Sequence, residues 1–166
     1  GLEHTDIATN ERGAIVVNDT CESSVPGVYA VGDVNGGPQF TYISLDDFRI
    51  VFGALTGNSQ YTLKDRKNIP YTTFLTPPLS RVGLTEEDAI NQGYTVKTKE
   101  MLVATMPRAH VNDYLKGAFK IVVDADNDLI LGATLYSQGA EELINLIKMA
   151  MDNNIPYTYF KNQIFT

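Results

Sequence analysis

The chain has 166 residues and a hydrophobic content of 43%, which is typical of a globular protein with one domain, or with one domain and part of another. Its formal net charge of -7 would repel phosphate backbones, so nucleic acid is not an expected partner. No run approaches the roughly 20 apolar residues of a membrane span, and the N-terminus lacks the pattern of a signal peptide. Together with the lone Cys21, which can form no internal disulfide, these features predict a cytoplasmic protein without a membrane partner.

Residues 1–57 are predicted to contain two strands, a loop and a helix. GAIVVN (13–18) and GVYAVGD (27–33) are short apolar, β-branched runs bounded by Gly, Pro and Asp, as is typical of strands. TYISLDDFRIVFGALTG (41–57) predicts a helix that stops at Gly57, a residue suited to the left-handed position after a helix. Its apolar residues at helical spacing are Ile43, Phe48, Val51 and Leu55.

Segment 58–70 is polar and charged, ends in proline, and is predicted to be a linker. The residues after it, 71–166, predict an α+β arrangement of strands in succession flanked by helices. Thr85 is the expected N-cap of a short helix, with Asp88 at the reciprocal capping position and Gly93 as its stop. The predicted elements are strand 71–75, a helix within 84–94, hairpin 119–136 and helix 140–152. The apolar stripe of the last helix is expected to comprise Leu143, Ile144, Ile147 and Met151.

The end of the second predicted strand carries residue types that suit ligand binding. Gly32 would let a ligand approach the backbone, and the carboxylate of Asp33 could accept a hydrogen bond from a sugar-alcohol hydroxyl. A loop then leads to a helix starting near Thr41, whose free N–H groups and positive dipole end favour an anionic group. The alternative to ligand binding is a plain structural role, in which a strand ends in a turn and Asp33 is a capping residue. The residues alone leave both interpretations open.

The wider sequence resembles a known family. SVPGVYAVGDVNGG (24–37) is similar to the second flavin-binding motif of the class I pyridine nucleotide-disulfide oxidoreductases, the family of dihydrolipoamide dehydrogenase, glutathione reductase and mercuric reductase. RVGLTEEDA (81–89), LILGATLYSQGAEELINLIKMAM (129–151) and the terminal QIFT (163–166) resemble the dimerisation domain of that family, in the same order. The resemblance covers essentially the whole chain.

This resemblance implies the fold and its division. Residues 1–57 would be a strand-loop-helix remnant of an FAD-binding α/β domain, and residues 71–166 a dimerisation-domain fold with an antiparallel sheet and flanking helices, truncated before the His-Pro motif of the family. QFTYISLDDFRIV (39–51) and TPPLSRVGLTEE (76–87) look closer to the branch of reactive-chlorine-resistance flavoproteins, described as copper reductases, than to the dehydrogenases.

The resemblance also implies cofactor contacts, residue by residue. Asp33 would contact the ribityl chain of the flavin, and Gly32 would allow close approach. Phe40 and Thr41 match the start of the helix whose N-terminus faces the pyrimidine edge of the isoalloxazine, and Gln39 could add a side-chain contact. A fixed helix dipole at this edge would stabilise the negative charge that hydride transfer from NAD(P)H leaves there.

A full-length relative would use FAD and NAD(P)H and form a homodimer through residues 71–166. The chain itself contains no Gly-x-Gly-x-x-Gly and no second cysteine, and the catalytic histidine of the family would follow Thr166. We therefore expect this fragment alone to be inactive, with no catalytic residue, no metal and no bound FAD. The alternative is a free-standing dimerisation or interaction module. The electron acceptor and the choice of NADH or NADPH stay open.

Three further features have plain structural interpretations. His4 and His110 stand outside any His-Pro context and are expected to be surface or capping residues. DADND (124–128) resembles half of a calcium loop, but Leu129 replaces the required glycine, which favours a hairpin turn. Cys21 lies near acidic residues that disfavour its thiolate, so a passive thiol is expected.

Overall fold

The structure of the chain, a computed structural model, describes residues 1–165. The terminal Thr166, the last residue of the QIFT match, lies outside the described residues. Contacts between Cα atoms divide the chain between Lys67 and Asn68 into two compact units. The proposed linker 58–70 includes a 3-10 helix, Leu63–Asp65, whose leading Thr62 shares a capping box with Asp65.

The first unit is built around one long helix, α1 (Thr41–Leu55). The prediction of strands over 13–18 and 27–33 is wrong, because neither segment forms a continuous ladder. Residues 1–67 are joined by single antiparallel bridges, and Gly32–Asn35 is a 3-10 helix. A strand requires a neighbour that runs beside it for several residues, and each partner here is in register for only one pair. The bridges join Thr9 to Ile15, Val17 to Ser23 and Glu22 to Tyr29.

The buried face of α1 differs from the predicted stripe. Ile43, Asp47 and Ile50 are the buried residues, whereas Phe48 and Leu55 are exposed. Hydrophobic periodicity could not find this face because its central residue is a carboxylate. The predicted stop is confirmed, since Gly57 has a φ of 75° and follows the C-terminal turn directly.

The second unit contains a five-stranded antiparallel sheet with flanking helices, so the predicted α+β fold is confirmed. The strands lie in the order β1-β2-β5-β4-β3, so β1 and β3 are the edge strands. The strands are β1 (Tyr71–Thr73), β2 (Leu79–Gly83), β3 (Val96–Leu102), β4 (Ala118–Asp124) and β5 (Ile130–Tyr136). The helices are α2 (Glu86–Asn91), α3 (Pro107–Val111), α4 (Ala140–Asp152) and α5 (Tyr157–Asn162), and a further 3-10 turn covers Val103–Thr105.

In the second unit, the sequence correctly predicted the local structures in which polar side chains accept hydrogen bonds from nearby backbone N–H groups. Thr85 Oγ1 accepts a hydrogen bond from the Asp88 N–H at 3.0 Å, and the Asp88 carboxylate accepts one from the Thr85 N–H at 3.2 Å, so the capping box is confirmed. DADND forms the turn between β4 and β5, as predicted. Asp124 Oδ1 accepts from the Asp126 N–H at 3.0 Å, and its Oδ2 accepts from Asn127 Nδ2 at 2.7 Å.

One face of the sheet packs against α4 and forms the core. Val82, Ala133 and Leu135 from the sheet meet Ala140 and Ile144 from the helix. Ile147 and Met151 pack against this cluster as predicted, but Leu143 is exposed and does not belong to the buried stripe. Among residues 1–165, no helix is long and apolar enough to cross a membrane.

We expect Ile144→Ala to lower the free energy of unfolding of the second unit by about 2–5 kcal/mol, because it leaves a cavity in a closed core. Ile90→Ala, on the exposed side of α2, is the matched control and should change it by less than about 0.5 kcal/mol. Urea unfolding followed by circular dichroism measures both. Equal losses in the two variants would contradict this assignment of the core.

Candidate functional site

The five predicted site residues lie along one short stretch that ends at the start of α1. Gly32 is buried at the first position of the 3-10 helix, and Asp33 follows it with an exposed side chain. Gln39 is exposed, Phe40 is the N-cap residue of α1, and Thr41 is its exposed first helical residue. The structure therefore brings the turn and the helix start together within the first unit.

Gly32 is held at a position that admits no side chain. Its φ is 70°, in the left-handed region that favours glycine, and an added Cβ would meet Ser44 Oγ from α1. Its N–H donates a hydrogen bond of 2.7 Å to Asp47 Oδ2, which is completely buried in the next turn of the same helix. The turn is thus seated directly on α1.

Asp47 is the centre of a buried polar network that links three segments of the first unit. Besides the Gly32 N–H, its Oδ2 accepts a hydrogen bond from Asn35 Nδ2 at 2.9 Å. Its Oδ1 accepts one from Arg66 Nη2 at 2.5 Å. Three donors therefore compensate a carboxylate that would otherwise be costly to bury.

Arg66 lies between two acidic residues of α1. Its Nε donates to Asp46 Oδ2 at 2.8 Å, and Tyr61 Oη donates to the same oxygen at 3.2 Å. Burial alone would lower the pKa of Arg66, but hydrogen bonds to and charge from Asp47, followed by Asp46, raise it above its ordinary value. The guanidinium is therefore a permanent cation that ties residue 66 to both carboxylates.

The Asp33 carboxylate differs from Asp47 because it points away from this network. Its side chain is exposed, and no hydrogen bond or ion pair engages it among residues 1–165. At the nearby start of α1, Phe40 supplies no side-chain cap, and its ring stacks on Tyr42 with centroids 5.2 Å apart. The arrangement offers one open hydrogen-bond acceptor and one helix N-terminus with positive dipole character.

Cys21 is fully buried in the same unit, which no sequence signal indicated. Burial, followed by the charge of Asp47, raises the pKa of its thiol to about 11. The raised pKa agrees with the prediction of a passive thiol, but the cause is different: burial dominates, and the carboxylate involved comes from α1 rather than from the adjacent sequence.

The histidines and acidic residues take structural positions. His4 is exposed beside Glu3, and His110 is exposed with Nε2 at 2.8 Å from the carbonyl oxygen of Ala104, as expected for surface or capping residues. Within the described residues, no group of three or more His, Cys, Asp or Glu side chains could hold a metal ion.

Sequence reasoning missed Asp47 and Arg66, the two charged residues that support the turn. The sequence contains one signal for Asp47: two adjacent aspartates, at 46–47, interrupt the apolar pattern of the helix. A solvent-facing aspartate would account for only one of these two interruptions. Arg66 gave no signal because it lies in a polar segment predicted to be a linker. Only the tertiary structure brings it next to Asp47.

Comparison with known proteins identifies the family. Residues 69–166 match "Pyridine nucleotide-disulphide oxidoreductase, dimerisation domain", and residues 1–47 match "Pyridine nucleotide-disulphide oxidoreductase". The first match covers more than half of the chain. The chain therefore belongs to the pyridine nucleotide-disulphide oxidoreductase family, and the order of the two matches fits the C-terminal part of a class I member.

Individual relatives agree with this membership. The chain is 48% identical over 164 residues to the probable pyridine nucleotide-disulfide oxidoreductase RclA of Escherichia coli, covering 99% of this chain and 37% of that protein. It is 34% identical over 150 residues to a mercuric reductase of Staphylococcus aureus, covering 90% of this chain and 27% of that protein.

A solved structure shows the same fold. The Cu(II) complex of the HOCl-induced flavoprotein disulfide reductase RclA from Escherichia coli superposes with a TM-score of 0.95 at 47% identity, over 99% of this chain and 38% of that one. The chain thus spans less than two fifths of the length of each of these relatives.

The raised pKa of Cys21 predicts a pH-dependent stability. Because folding raises this pKa from 9.0 to about 11, the folded chain holds the thiol proton more tightly than the unfolded chain does. The contribution of Cys21 to stability is therefore present below this window and is lost as the pH rises through it.

We expect the free energy of unfolding of the wild type to fall relative to that of Cys21→Ala across this alkaline window. Urea titrations of both chains at a series of pH values measure the difference, in which contributions from lysine and tyrosine cancel. A difference that stays constant with pH would contradict the assignment.

Proposed function

We propose that the chain is the C-terminal part of an FAD-dependent NAD(P)H oxidoreductase, in which the first unit contributes a flavin contact and the second unit forms a homodimer. The observation that carries the proposal is the order of the two family matches along one chain, with the Gly32–Asp33 turn inside the first match. We also propose a cytoplasmic location, which the lone cysteine favours.

The residues of the first unit fit a flavin with a polyhydroxyl side chain. Gly32 has no space for a Cβ because Ser44 of α1 lies where the Cβ would be, and this fixes the turn against α1. Asp33 is an exposed acceptor without a partner among the described residues, as a residue that binds a ribityl hydroxyl would be before binding. The start of α1, where Phe40 makes no side-chain capping hydrogen bond, suits an electron-rich ring edge.

The proposed roles of these residues are to bind and to orient. The flavin, when bound, would supply the group that accepts hydride from NAD(P)H. Asp33 would hold the cofactor by a charge-assisted hydrogen bond, while the amide N–H groups at Thr41 would favour negative charge near the helix start. Gln39, which is exposed just before the helix, would add a side-chain contact.

The chain by itself is proposed to bind no FAD and to catalyse no turnover. Flavin chemistry depends on holding the cofactor, the hydride donor and an acid-base group together. The sequence contains neither a Gly-x-Gly-x-x-Gly turn nor a cysteine pair. The domain division proposed for the chain is residues 1–57 as the end of the FAD-binding domain, 58–70 as linker and 71–166 as dimerisation domain.

The outer side of α4 supports the proposal of a homodimer. Three apolar residues outside the core cluster, Leu143, Leu146 and Met149, are 40%, 43% and 55% exposed. A helix that is apolar on both sides requires a second partner besides the sheet beneath it. In a two-fold dimer, the same helix of a second copy can supply this partner.

We expect Asp33→Ala to weaken flavin retention in the longer protein that contains this chain, because a bound hydroxyl would lose its charged acceptor, at a cost of about 1–3 kcal/mol. Equilibrium dialysis followed by flavin absorbance measures it. Asp126→Ala, an exposed aspartate of the second unit, is the control. Unchanged affinity in Asp33→Ala would remove Asp33 from the site.

We expect the chain to be a symmetric dimer in light scattering at micromolar concentration, and Leu146→Asp to shift it to monomer because it places a charge in the apolar contact. The control is Ile90→Asp, which adds the same charge to an exposed apolar position of α2. Glu86 of α2 pairs with Lys120 on the face of the sheet opposite α4, so this helix lies away from the proposed contact. A wild-type monomer, or equal dissociation by both variants, would argue against this interface.

A further inference from the structure

Asn35–Gly36 is the one Asn-Gly pair in the sequence, and it lies inside the turn that seats Gly32 on α1. Asn-Gly is chemically labile because glycine has no side chain to hinder attack of its backbone nitrogen on the asparagine amide. A turn that supports the candidate site therefore contains a chemically labile pair.

The structure requires both residues of the pair. Gly36 has a φ of 76°, and an added Cβ would lie 2.8 Å from Ala14 Cβ, so a larger residue would be strained and crowded. Asn35 donates from Nδ2 to the buried Asp47 carboxylate and accepts at Oδ1 from the Gly37 N–H at 3.0 Å. An aspartate or a hydrophobic residue could not make both contacts.

The same contacts engage the groups that would react. Gly36 N–H, the nucleophile, donates to the Asp33 carbonyl oxygen at 3.1 Å. The leaving group, Asn35 Nδ2, is held by Asp47 Oδ2 at 2.9 Å and by the Ala30 carbonyl oxygen at 3.3 Å. Loss of Asn35 Nδ2 as ammonia breaks the hydrogen bonds to Asp47 and Ala30, so these contacts oppose the reaction.

We propose that Asn35 is a site of spontaneous deamidation that the buried Asp47 carboxylate holds in check. Gly36 N attacks Cγ of Asn35 and loses its proton, a C–N bond forms, and ammonia leaves to give a cyclic imide. Water then opens the ring at either carbonyl, which yields aspartate or isoaspartate at position 35. The net reaction consumes one water and releases one ammonia, with no oxidant or cofactor.

Deamidation at this position would dismantle the support of the turn. The product carries a carboxylate where an amide donated to Asp47, so two negative groups face each other in a buried site with Arg66 as their cation. The isoaspartate product also lengthens the backbone inside the 3-10 helix. Either product would release Gly32 and Asp33 from α1, and the release would be irreversible.

The experiment incubates the chain at mildly alkaline pH, folded and in denaturing urea, and follows Asn35 by peptide mass spectrometry and by isoaspartyl methyltransferase labelling. We expect Asn35 to deamidate in the unfolded chain faster than any other asparagine, and at least about tenfold more slowly in the folded chain, the factor for one hydrogen bond to a charged group. Asn35→Gln should abolish the signal.

Asp47→Asn tests the role of the carboxylate, with Asp46→Asn as the matched control, because Asp46 contacts Arg66 but not Asn35. With both variants shown to be folded by circular dichroism, we expect faster deamidation at Asn35 in Asp47→Asn only. Equal rates in folded and unfolded wild type would overturn the protection, whether or not Asp47→Asn folds. No preference for Asn35 in the unfolded chain would overturn the site, and a folded Asp47→Asn that reacts like wild type would overturn the role of Asp47.

Discussion

The first unit depends on one buried carboxylate. Asp47 is inaccessible to solvent, and its two oxygens receive hydrogen bonds from Gly32, Asn35 and Arg66. Residues 1–67 form no continuous β-ladder among themselves, and this network joins the turn and residue 66 to α1. A buried charge is costly unless it is paired and hydrogen-bonded, and such a site tolerates the loss of a single partner poorly.

The second unit is held together by a different kind of interaction. Its sheet and α4 share an apolar core around Ile144. Such a core tolerates hydrophobic replacement of similar volume, whereas the Asp47 network does not. The two halves of the chain should therefore respond differently to mutation, although both belong to one family of oxidoreductases.

The parts of the structure that could be predicted from the sequence are those governed by neighbouring residues. The Thr85–Asp88 capping box, the 119–136 hairpin and the 140–152 helix are set by contacts within a few positions, and the family resemblance supplied the fold. Strands β2 and β3 were not predicted, because β2 contains a charged residue and β3 alternates lysine with exposed polar and apolar residues. Neither pattern has the clean alternation of a half-buried strand.

The candidate site was only half predictable. Gly32 and Asp33 are recognisable as a motif because they are adjacent in sequence. Their support is not, because Asp47 and Arg66 are separated from the motif by up to 34 residues and are brought together by folding alone. A charged residue at an apolar position of a helical pattern is the sequence feature that indicates such a network.

The two edges of the sheet differ in how they discourage further strand pairing. β1 has only three residues, which is too short to template a stable addition. β3 is long, but Lys97 and Lys99 stand exposed along it beside Glu100, so an approaching strand would have to bury or repel charges. The two edges of the sheet therefore discourage the addition of a strand from another chain, one by shortness and the other by charge.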